Sequence, residues 1–302
     1  MPMRVTVLGE RGGWHVERLT AALIQRGHDV AVTRWSELSA EIWSGKHRFG
    51  PPEVAAADAI VVRGMPGVTT APERLEEVIF RMDALGQLAA RGVPVINRPR
   101  ALEIAIDKYL SLAVLADHGI PVPRTIVVQD AAAAVQAWAD LGHDCIVKPI
   151  FGSRGRGLVR LRTEADVLAA IPANGRVGYL QEFIPHAGWD VRVLVVGRRV
   201  FSMKRVAASG DWRTNVSQGG RPEAFAPPQD WIDLAVRAAT AVGAEIAGVD
   251  LLPTGDGRVL VLEVNAVPGW RGLQAVEATD LATAVAAAIE DAARFRPAEH
   301  PT

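Results

Sequence analysis

A glycine-rich loop between two β-rich segments constrains the fold of this chain more than any other feature. The loop, KPIFGSRGRG (148–157), follows the apolar run CIVKPI and precedes GLVRLR, which alternates apolar and polar residues as strands do. In Walker-type and Rossmann loops the glycines lead from a strand into a helix. Here a strand follows, so we predict a hairpin whose tip covers a phosphate chain, with Lys148 as a point charge beside it. Taken alone, the loop fits an ordinary mobile hairpin equally well.

Composition excludes several classes of protein. The 302 residues include 33 Lys and Arg against 34 Asp and Glu, so the chain lacks the basic surplus on which non-specific nucleic-acid binding depends. The single cysteine, Cys145, excludes an intramolecular disulfide and a cysteine-based zinc site, and its apolar surroundings predict a buried small hydrophobe. No uninterrupted apolar segment reaches the roughly 18 residues of a membrane span. We therefore expect a soluble, cytoplasmic protein that binds neither nucleic acid nor membranes.

The pattern of elements predicts three lobes. Residues 1–98 show a β-α-β pattern, two more apolar strands and a helix over 72–91, which indicates a parallel α/β domain. A single helix is predicted over 99–118, and it opens a central lobe that continues to residue 185. From 186 to 302 the β-rich runs are joined by hairpin-type turns, which indicates an antiparallel sheet with helices. The predicted fold class is thus α/β, with α+β organisation in the C-terminal part.

Polar residues inside two apolar strands indicate a metal site. Glu263 and Asn265 interrupt VLVLEVNAVPG two residues apart, so their side chains share one face of the strand. Asp250 interrupts AGVDLL in the same way. Asp250 alone is more typical of an exposed strand edge. Three hard oxygen donors on one sheet face suit Mg²⁺, however, and the combination favours the metal.

Basic residues on neighbouring strands indicate a site for a phosphoryl group or a carboxylate. Asp190 and Arg192 share one face of a strand, and Arg205 lies on the next strand. Such arginines neutralise a transferring phosphoryl group, orient a substrate carboxylate or belong to a solvated face, and the pattern leaves these alternatives open. The polar loop RTNVSQGG (213–220) adds Asn215 as a phosphate or metal ligand.

Taken in order, seven features of the chain resemble one family. They are Lys108 in IDKYLSL, Lys148 before the glycine loop, QEFI, DVRVLVVG, RTN…GG, GVD and EVNAVPG. Together they are similar to the motifs of the ATP-grasp superfamily, and within it of the RimK-like α-L-glutamate ligases. The resemblance runs from about residue 98 to the end, and the N-terminal lobe matches the α/β domain that usually precedes an ATP-grasp domain. The segments FGSRGRG and QEFIPHAGWDVRVLVVG look closer to small-molecule ligases of the tetrahydromethanopterin:α-L-glutamate ligase type.

The resemblance implies a role for each matching residue. The residues expected to bind ATP are Lys108, Lys148, Gly152, Ser153, Gly155, Gly157, Gln181, Glu182, Phe183, Ile184, Asp190, Arg213, Thr214 and Asn215. Those expected to bind two Mg²⁺ ions, with Mn²⁺ as an alternative, are Asp250, Glu263 and Asn265. Arg192 and Arg205 are expected to act in catalysis by holding an acyl phosphate. Residues 181–184 would read the adenine through their backbone, with Asp190 toward the ribose.

The resemblance also implies an activity, with alternatives. A substrate carboxylate would attack the γ-phosphoryl group of ATP, and an amine, with L-glutamate favoured, would then displace phosphate from the acyl phosphate. The expected acceptor is a small-molecule carboxylate such as a pterin cofactor precursor, on which Trp189, Trp212 and Trp270 are hypothesised to stack. A protein or carrier-protein acceptor and a regulatory nucleotide-binding protein without ligase activity stay open as alternatives, as does a homo-oligomer.

Overall fold

The computed structural model describes residues 1–64, 75–151, 157–173 and 177–294. In these ranges the chain forms three main sheets, each with helices packed against it, and one separate hairpin. The parallel N-terminal sheet and the antiparallel central and C-terminal sheets confirm the predicted fold class. Three predicted nucleotide-site residues, Gly152, Ser153 and Gly155, lie outside the described residues. Across the described ranges, no helix is long and apolar enough to span a membrane.

The N-terminal part of the chain is built on a parallel sheet. Its elements are β1 (Arg4–Leu8), α1 (Trp14–Gln25), β2 (Asp29–Thr33), β3 (Ser39–Trp43), β4 (Lys46–Gly50), α2 (Pro52–Ala55), β5 (Ala59–Val62), α3 (Leu75–Ala90) and β6 (Val95–Ile96). The sheet has the order β2-β1-β5-β6, and its central strands are apolar and buried. The sequence does not predict the hairpin of β3 and β4, because its residues are mostly exposed and show no apolar alternation.

The single helix predicted over 99–118 is wrong. The chain forms two helices there, α4 (Pro99–Ile106) and α5 (Lys108–Asp117). Asp107 separates them, because its carboxylate accepts hydrogen bonds from Tyr109 N at 2.8 Å and Leu110 N at 3.0 Å. This N-cap satisfies backbone donors that the start of a helix leaves unpaired. The break makes Lys108 the first residue of α5.

The central lobe carries the predicted glycine hairpin. Its elements are β7 (Thr125–Val128), α6 (Ala131–Asp140), β8 (Cys145–Lys148), β9 (Val159–Leu161), α7 (Glu164–Ala173) and β10 (Gly178–Glu182). The antiparallel sheet has the order β7-β10-β8-β9, and the glycine loop joins the paired strands β8 and β9, as predicted. Cys145 is fully buried in this core, also as predicted, and burial raises the pKa of its thiol to about 12.

The C-terminal part of the chain is built on a five-stranded antiparallel sheet. Its elements are β11 (Trp189–Val196), β12 (Arg199–Val206), β13 (Arg221–Ala224), α8 (Gln229–Val242), β14 (Ile246–Pro253), β15 (Val259–Asn265), α9 (Arg271–Gln274) and α10 (Leu281–Arg294). The strand order is β13-β12-β11-β14-β15. The three main sheets fall within the ranges 1–98, 99–185 and 186–302, whose limits as domain boundaries stay a prediction.

Buried polar groups fix the N-terminal sheet to the C-terminal sheet. Asn97, directly after β6, donates through its amide to Ile246 O at 2.7 Å and to Ala266 O at 2.5 Å. Its amide oxygen accepts from Ile246 N at 3.0 Å. Because Asn97 is 2% exposed, any separation of the two sheets would leave these groups without partners. The carboxyl end of the parallel sheet is thereby held against the end of β15.

A second polar contact ties α10 to the loop after α1. Glu290 accepts from Arg26 Nε at 2.6 Å, from Arg26 Nη2 at 2.7 Å and from His28 Nε2 at 2.8 Å. The backbone N–H of Met3 donates to His28 Nδ1 at 3.2 Å, which assigns the ring proton to Nε2. The hydrogen bond from Arg26, supported by the one from His28, lowers the pKa of Glu290 from 4.5 to about 2.

Glu290→Gln is expected to destabilise the protein by about 1–3 kcal/mol at neutral pH, since it replaces a charged acceptor of buried hydrogen bonds. The pKa of Glu290 is lower in the folded state, so its stabilisation is present above about pH 4.5 and is lost as the pH falls toward 2. Urea unfolding from pH 7 to pH 3 measures this. The variant should show a shallower loss of stability with acidification than the wild type. Glu103→Gln, in an exposed pair with Arg100, is the matched control, and equal effects of both substitutions would contradict the prediction.

Candidate active site

A pocket lies between the central sheet and the C-terminal sheet. Most of the site residues predicted from the sequence line it. They are Lys108, Lys148, Gln181, Glu182, Phe183, Ile184, Asp190, Arg205, Arg213, Thr214, Asn215, Asp250 and Glu263. Residues from the start of α5 to the last strand of the C-terminal sheet therefore meet in one cavity.

Three other predicted residues lie outside the lining of this pocket. Arg192, on β11, is paired with Asp250. Asn265 ends β15, and its side-chain oxygen accepts from Val267 N at 2.9 Å. Gly157, at the start of the segment that leads to β9, has a positive φ of 73°.

Two lysines face the pocket from different elements. Lys148 ends β8, and its Nζ donates to Gln181 Oε1 at 2.5 Å, while Lys108 Nζ donates to Ile150 O at 3.3 Å. Burial lowers the pKa of Lys148 to about 8, although Glu263 opposes this shift. Burial also lowers the pKa of Lys108. A polyanion bound here would relieve the cost of holding two ammonium groups away from water.

Charged residues alternate across three neighbouring strands of the site. Arg205 on β12 lies opposite Asp190 on β11, and its Nε donates to Asp190 Oδ1 at 2.7 Å. Arg192 on β11 lies opposite Asp250 on β14, and Arg205 Nη2 is 3.0 Å from Asp250 Oδ2. The hydroxyl of Thr214 donates to Asp190 Oδ2 at 2.7 Å. The order Asp190, Arg205, Asp250, Arg192 thus forms a continuous chain of opposite charges.

Arg205 is the more deeply buried of the two arginines in this series of charges. Its side chain is 4% exposed, and those of Asp190 and Asp250 are 3% and 7% exposed. Burial alone would lower the pKa of Arg205, but the carboxylates of Asp250 and Asp190 outweigh it and raise the pKa. The site therefore holds a permanent positive charge in a fixed position.

A β-bulge brings two consecutive residues of β15 into the pocket. Asp250 pairs with Glu263, and Leu251 pairs with Val261, so Leu262 has no partner on β14. Leu262 and Glu263 both line the pocket, although consecutive residues of a regular strand point to opposite faces. Alternation in the sequence predicts the orientation of Glu263 but not that of Leu262.

The oxygen donors beside the lysines fit a divalent cation. Asp250 and Glu263 lie opposite each other, and Asn265 follows on the face of Glu263. Arg192 Nε lies 2.5 Å from Asp250 Oδ1, yet neither atom makes a hydrogen bond of adequate geometry. A carboxylate oxygen can bind a cation with a second lone pair while it stays in contact with a guanidinium. In the described part of the chain, no group of three or more His, Cys, Asp or Glu side chains is placed to hold a metal ion. The predicted donors are therefore two carboxylates and an amide.

Comparison with known proteins relates this geometry to a family. The model of the RimK-like ATP-grasp domain matches residues 105–289, more than half of the chain. This chain belongs to the RimK-like ATP-grasp family. The matched range contains both lysines, the chain of opposite charges and the oxygen donors of β14 and β15.

Two curated relatives and one solved structure show how far the similarity extends. The tetrahydromethanopterin:α-L-glutamate ligase of Methanococcus maripaludis is 32% identical over 93% of this chain and 95% of its own. A probable α-L-glutamate ligase of Shewanella amazonensis is 30% identical over 98% of each chain. The ATP-grasp ligase PsnB, solved with a phosphomimetic variant of a minimal precursor, Mg and ADP, is 26% identical. That structure covers 97% of this chain and 99% of its own, with a TM-score of 0.75. The RimK-like protein described here is accordingly an ATP-dependent ligase.

The RimK-like pocket has an apolar wall that the sequence does not predict. The residues of this wall are Pro123, Ile146, Pro149, Leu158, Leu252 and Leu262. Apolar residues in strands are ambiguous in a sequence, because the same pattern serves a core and a binding surface. Only the packing of the central sheet against the C-terminal sheet decides that these side chains line a pocket and do not belong to the core.

The tryptophans have different positions relative to the pocket. Trp212 lines it and contacts Phe183 edge to face, with ring centres 5.8 Å apart. Trp270 is 1% exposed, and Trp189 packs against Phe225 and Trp231. The hypothesis of stacking on a flat substrate is therefore wrong for Trp270, and Trp189 belongs to an aromatic cluster. Trp212 alone of the three lines the pocket.

Backbone groups of the segment 181–184 already have partners inside the protein. Glu182 N donates to Arg124 O at 3.0 Å, and Phe183 N donates to Asp144 O at 3.1 Å. The carboxylate of Glu182 accepts from Arg124 N at 2.7 Å. An adenine base that contacts this segment would therefore contact its backbone carbonyl groups or Ile184. The N–H groups of Glu182 and Phe183 would not be available to it.

Proposed function

We propose that this protein is a carboxylate–amine ligase that uses ATP and Mg²⁺ to join L-glutamate to a small-molecule carboxylate, such as a pterin cofactor precursor. The observation that carries the proposal is the pocket in which Lys108 and Lys148 meet Asp250 and Glu263. Cations for a phosphate chain and oxygen donors for a divalent ion are the two requirements of phosphoryl transfer. The similarity to glutamate ligases over nearly the whole chain supports the amino acid.

In this proposal the nucleotide lies between the central and C-terminal sheets. Lys108 and Lys148 bind phosphate oxygens, and the base lies by Phe183 and Ile184 against the apolar wall. The phosphate end is lined by Arg213, Thr214 and Asn215. The glycine loop is proposed to cover the phosphates, and of its residues 152–157 only Gly157 belongs to the described part of the chain.

Asp190 is proposed to lie toward the ribose. Both of its carboxylate oxygens are engaged by protein donors, since Arg205 binds them and Thr214 binds one. The proposed role of Asp190 therefore includes a positioning function. It fixes the guanidinium of Arg205 where a transferring phosphoryl group passes.

Asp250, Glu263 and Asn265 would hold the divalent cations, which we propose to be two Mg²⁺ ions or Mn²⁺ ions in their place. A divalent cation bound there lowers the repulsion between the phosphate chain and an incoming carboxylate. Asp250 is also paired with Arg192 and Arg205. These two arginines would take up part of the negative charge of an acyl phosphate, which is the role proposed for them.

The proposed reaction has two steps. In the first, an oxygen of the substrate carboxylate attacks the γ-phosphorus, the bond from that phosphorus to the bridging oxygen breaks, and ADP leaves. Lys148 and Arg205 neutralise the charge on the transferring group. In the second, the amine nitrogen attacks the acyl carbon, the bond to the phosphate oxygen breaks, phosphate leaves, and the nitrogen loses a proton to solvent. Cover by the glycine loop would keep water from the acyl phosphate.

A peptide acceptor is the second candidate. PsnB, whose structure includes a precursor variant, matches 97% of this chain with a TM-score of 0.75. The sequence identity to the glutamate ligase of Methanococcus maripaludis is higher, at 32% against 26%, which favours the small-molecule acceptor. Because this chain belongs to a family of ligases, we do not pursue the alternative of a regulatory nucleotide-binding protein without ligase activity.

The function is tested by incubating the protein with ATP, Mg²⁺ and L-glutamate, with and without a panel of carboxylate acceptors. The panel includes a pterin acid and peptides that end in a free carboxylate. We expect ADP and phosphate release that depends on the acceptor, and a product heavier by one glutamyl unit. Product formed only with peptides would favour the second candidate, and ADP release without any amide product would contradict ligation.

Lys148→Met is expected to weaken Mg–ATP binding by about 10- to 100-fold, the equivalent of one hydrogen bond between charged groups. The substitution keeps an apolar stem of similar length and removes the ammonium group that faces the pocket. Isothermal titration with a non-hydrolysable ATP analogue measures the affinity. Lys46→Met, on the exposed β4 strand, is the matched control. Equal affinity in both variants would contradict a phosphate contact.

A further inference from the structure

We infer that Arg63 binds a non-reacting carboxylate of the amino-acid substrate, in the crevice between the N-terminal parallel sheet and the C-terminal sheet. The inference rests on the proposed function and deepens it. It assigns recognition of the amino acid to a residue that does not line the nucleotide pocket.

Arg63 lies at the end of the parallel sheet where ligands of such folds bind. It directly follows β5, and its backbone N–H donates to Leu8 O, the last residue of β1, at 2.7 Å. Open α/β sheets bind ligands in the crevice outside the carboxyl ends of their strands. At this same end of the sheet, Asn97 is bonded to Ala266, directly after β15. The carboxyl end of the parallel sheet therefore faces the strand that carries Glu263 and Asn265.

The guanidinium of Arg63 has donors in excess of its partners. Its Nη2 donates to Pro268 O at 2.9 Å, and its Cζ lies 4.3 Å from the centre of the Trp270 ring. Its Nε is buried without a hydrogen-bond partner. Within the part of the chain that the structure describes, no carboxylate lies within salt-bridge distance of it. Burial lowers the pKa of Arg63 to about 9.

Arg63 is partly exposed, although its Nε is buried, and the fully buried Arg205 of the candidate active site shows the contrast. Arg205 is held between two carboxylates, those of Asp190 and Asp250. A buried guanidinium normally requires such a partner, because removing a charge from water is costly. A carboxylate supplied by the substrate would give Arg63 the partner that the described residues do not give it. Bidentate binding of a carboxylate is the recognition for which a guanidinium is best suited.

Arg63 and Arg192 both lie near Pro268. A Cβ at position 248 would collide with Arg192 Nη1 and lie 3.0 Å from Pro268 Cβ, so Gly248 lets both approach the strand. Arg63 Nη2 donates a hydrogen bond to the carbonyl oxygen of the same proline. Arg192 also pairs with Asp250. A substrate that extends from Arg63 to Arg192 could present one anionic group to each arginine.

The amino acid is the substrate that fits this arrangement. The acceptor carboxylate is converted to an acyl phosphate, so it must reach the nucleotide pocket. A free amino acid reacts through its amine and keeps at least one carboxylate, and glutamate keeps two. The carboxylate at Arg63 would leave the amine free to reach the acyl carbon near Arg192.

The test measures binding of L-glutamate, glutarate and L-glutamine by isothermal titration in the presence of Mg–ADP. Arg63→Met is expected to weaken L-glutamate binding at least about tenfold, the equivalent of one charged hydrogen bond, with Mg–ADP affinity kept within about twofold. Arg63→Lys should restore part of the affinity, because it keeps the charge but not the planar fork. Arg4→Met, on the same sheet in an exposed pair with Asp58, is the matched control and should bind L-glutamate like the wild type.

Each outcome distinguishes this inference from the proposed function. Unchanged L-glutamate affinity in Arg63→Met overturns the inference, as does a wild type that binds none of the carboxylates. A parallel loss of Mg–ADP and L-glutamate affinity in both Arg63 variants indicates a structural role and also overturns it. Binding of L-glutamate that depends on Arg63, without any ligation product, supports the inference and overturns the proposed function alone.

Discussion

Glu263→Gln is expected to lower Mg²⁺-dependent ADP formation by at least about 100-fold. Mutation of a group that supports a metal ligand typically lowers activity by up to about 100-fold, and a ligand itself should matter at least as much. Glu263 lies opposite Asp250 in the pocket, and glutamine would keep its size while replacing a carboxylate by a neutral amide. The negative charge of Glu263 also favours the charged forms of Lys108 and Lys148. One substitution therefore weakens both the metal site and the cations beside it. ADP formation over a titration of Mg²⁺ measures the effect, and saturation should require more metal.

The control for this variant is Glu245→Gln. Glu245 lies just before β14 with an exposed side chain, so its replacement removes the same charge at a distance from the pocket. Both variants should unfold at the same urea concentration as the wild type. Normal turnover by Glu263→Gln would contradict the metal assignment.

Arg205→Met is expected to lower the free energy of unfolding by about 3–5 kcal/mol, the usual cost of removing one partner of a buried ion pair. The substitution would leave Asp190 and Asp250 as two buried carboxylates without their shared cation. Because Asp250 is a proposed metal ligand, Mg²⁺ should restore part of the lost stability. Urea unfolding with EDTA and with Mg²⁺ measures both effects.

The matched control for Arg205 is Arg258→Met. Arg258 pairs with Asp256 at 2.8 Å, but the two side chains are 67% and 56% exposed. An exposed pair contributes at most about 1 kcal/mol, so this variant should unfold almost like the wild type. Equal losses for Arg205→Met and Arg258→Met would contradict the structural role of the buried charges.

Much of the fold could be predicted because its signals are local. Apolar alternation marks β9, apolar runs mark β11 and β15, and the helical period marks α1 and α6. The exposed hairpin of β3 and β4 has neither signal. The sequence does not predict the break at Asp107, because the apolar period continues across it and the cap depends on the orientation of a single carboxylate.

The candidate site could be predicted as a set of residues but not as an arrangement. Alternation places Glu263 and Asn265 on one face, and the pairing of β14 with β15 then brings Asp250 opposite Glu263. The bulge that brings Leu262 into the pocket has no signal in the sequence. It depends on how the two strands pair along their length.

The sequence alone determined the fold class, the hairpin at the glycine loop and the chemical types that the site would contain. Each of these depends on residue type and short spacing, which a chain carries before it folds. Only the tertiary structure decided which charges are neighbours, which tryptophan lines the pocket and that Arg63 faces Pro268 and Trp270. Those contacts join residues far apart in the chain. Their geometry depends on the packing of one sheet against another, and no local pattern encodes it.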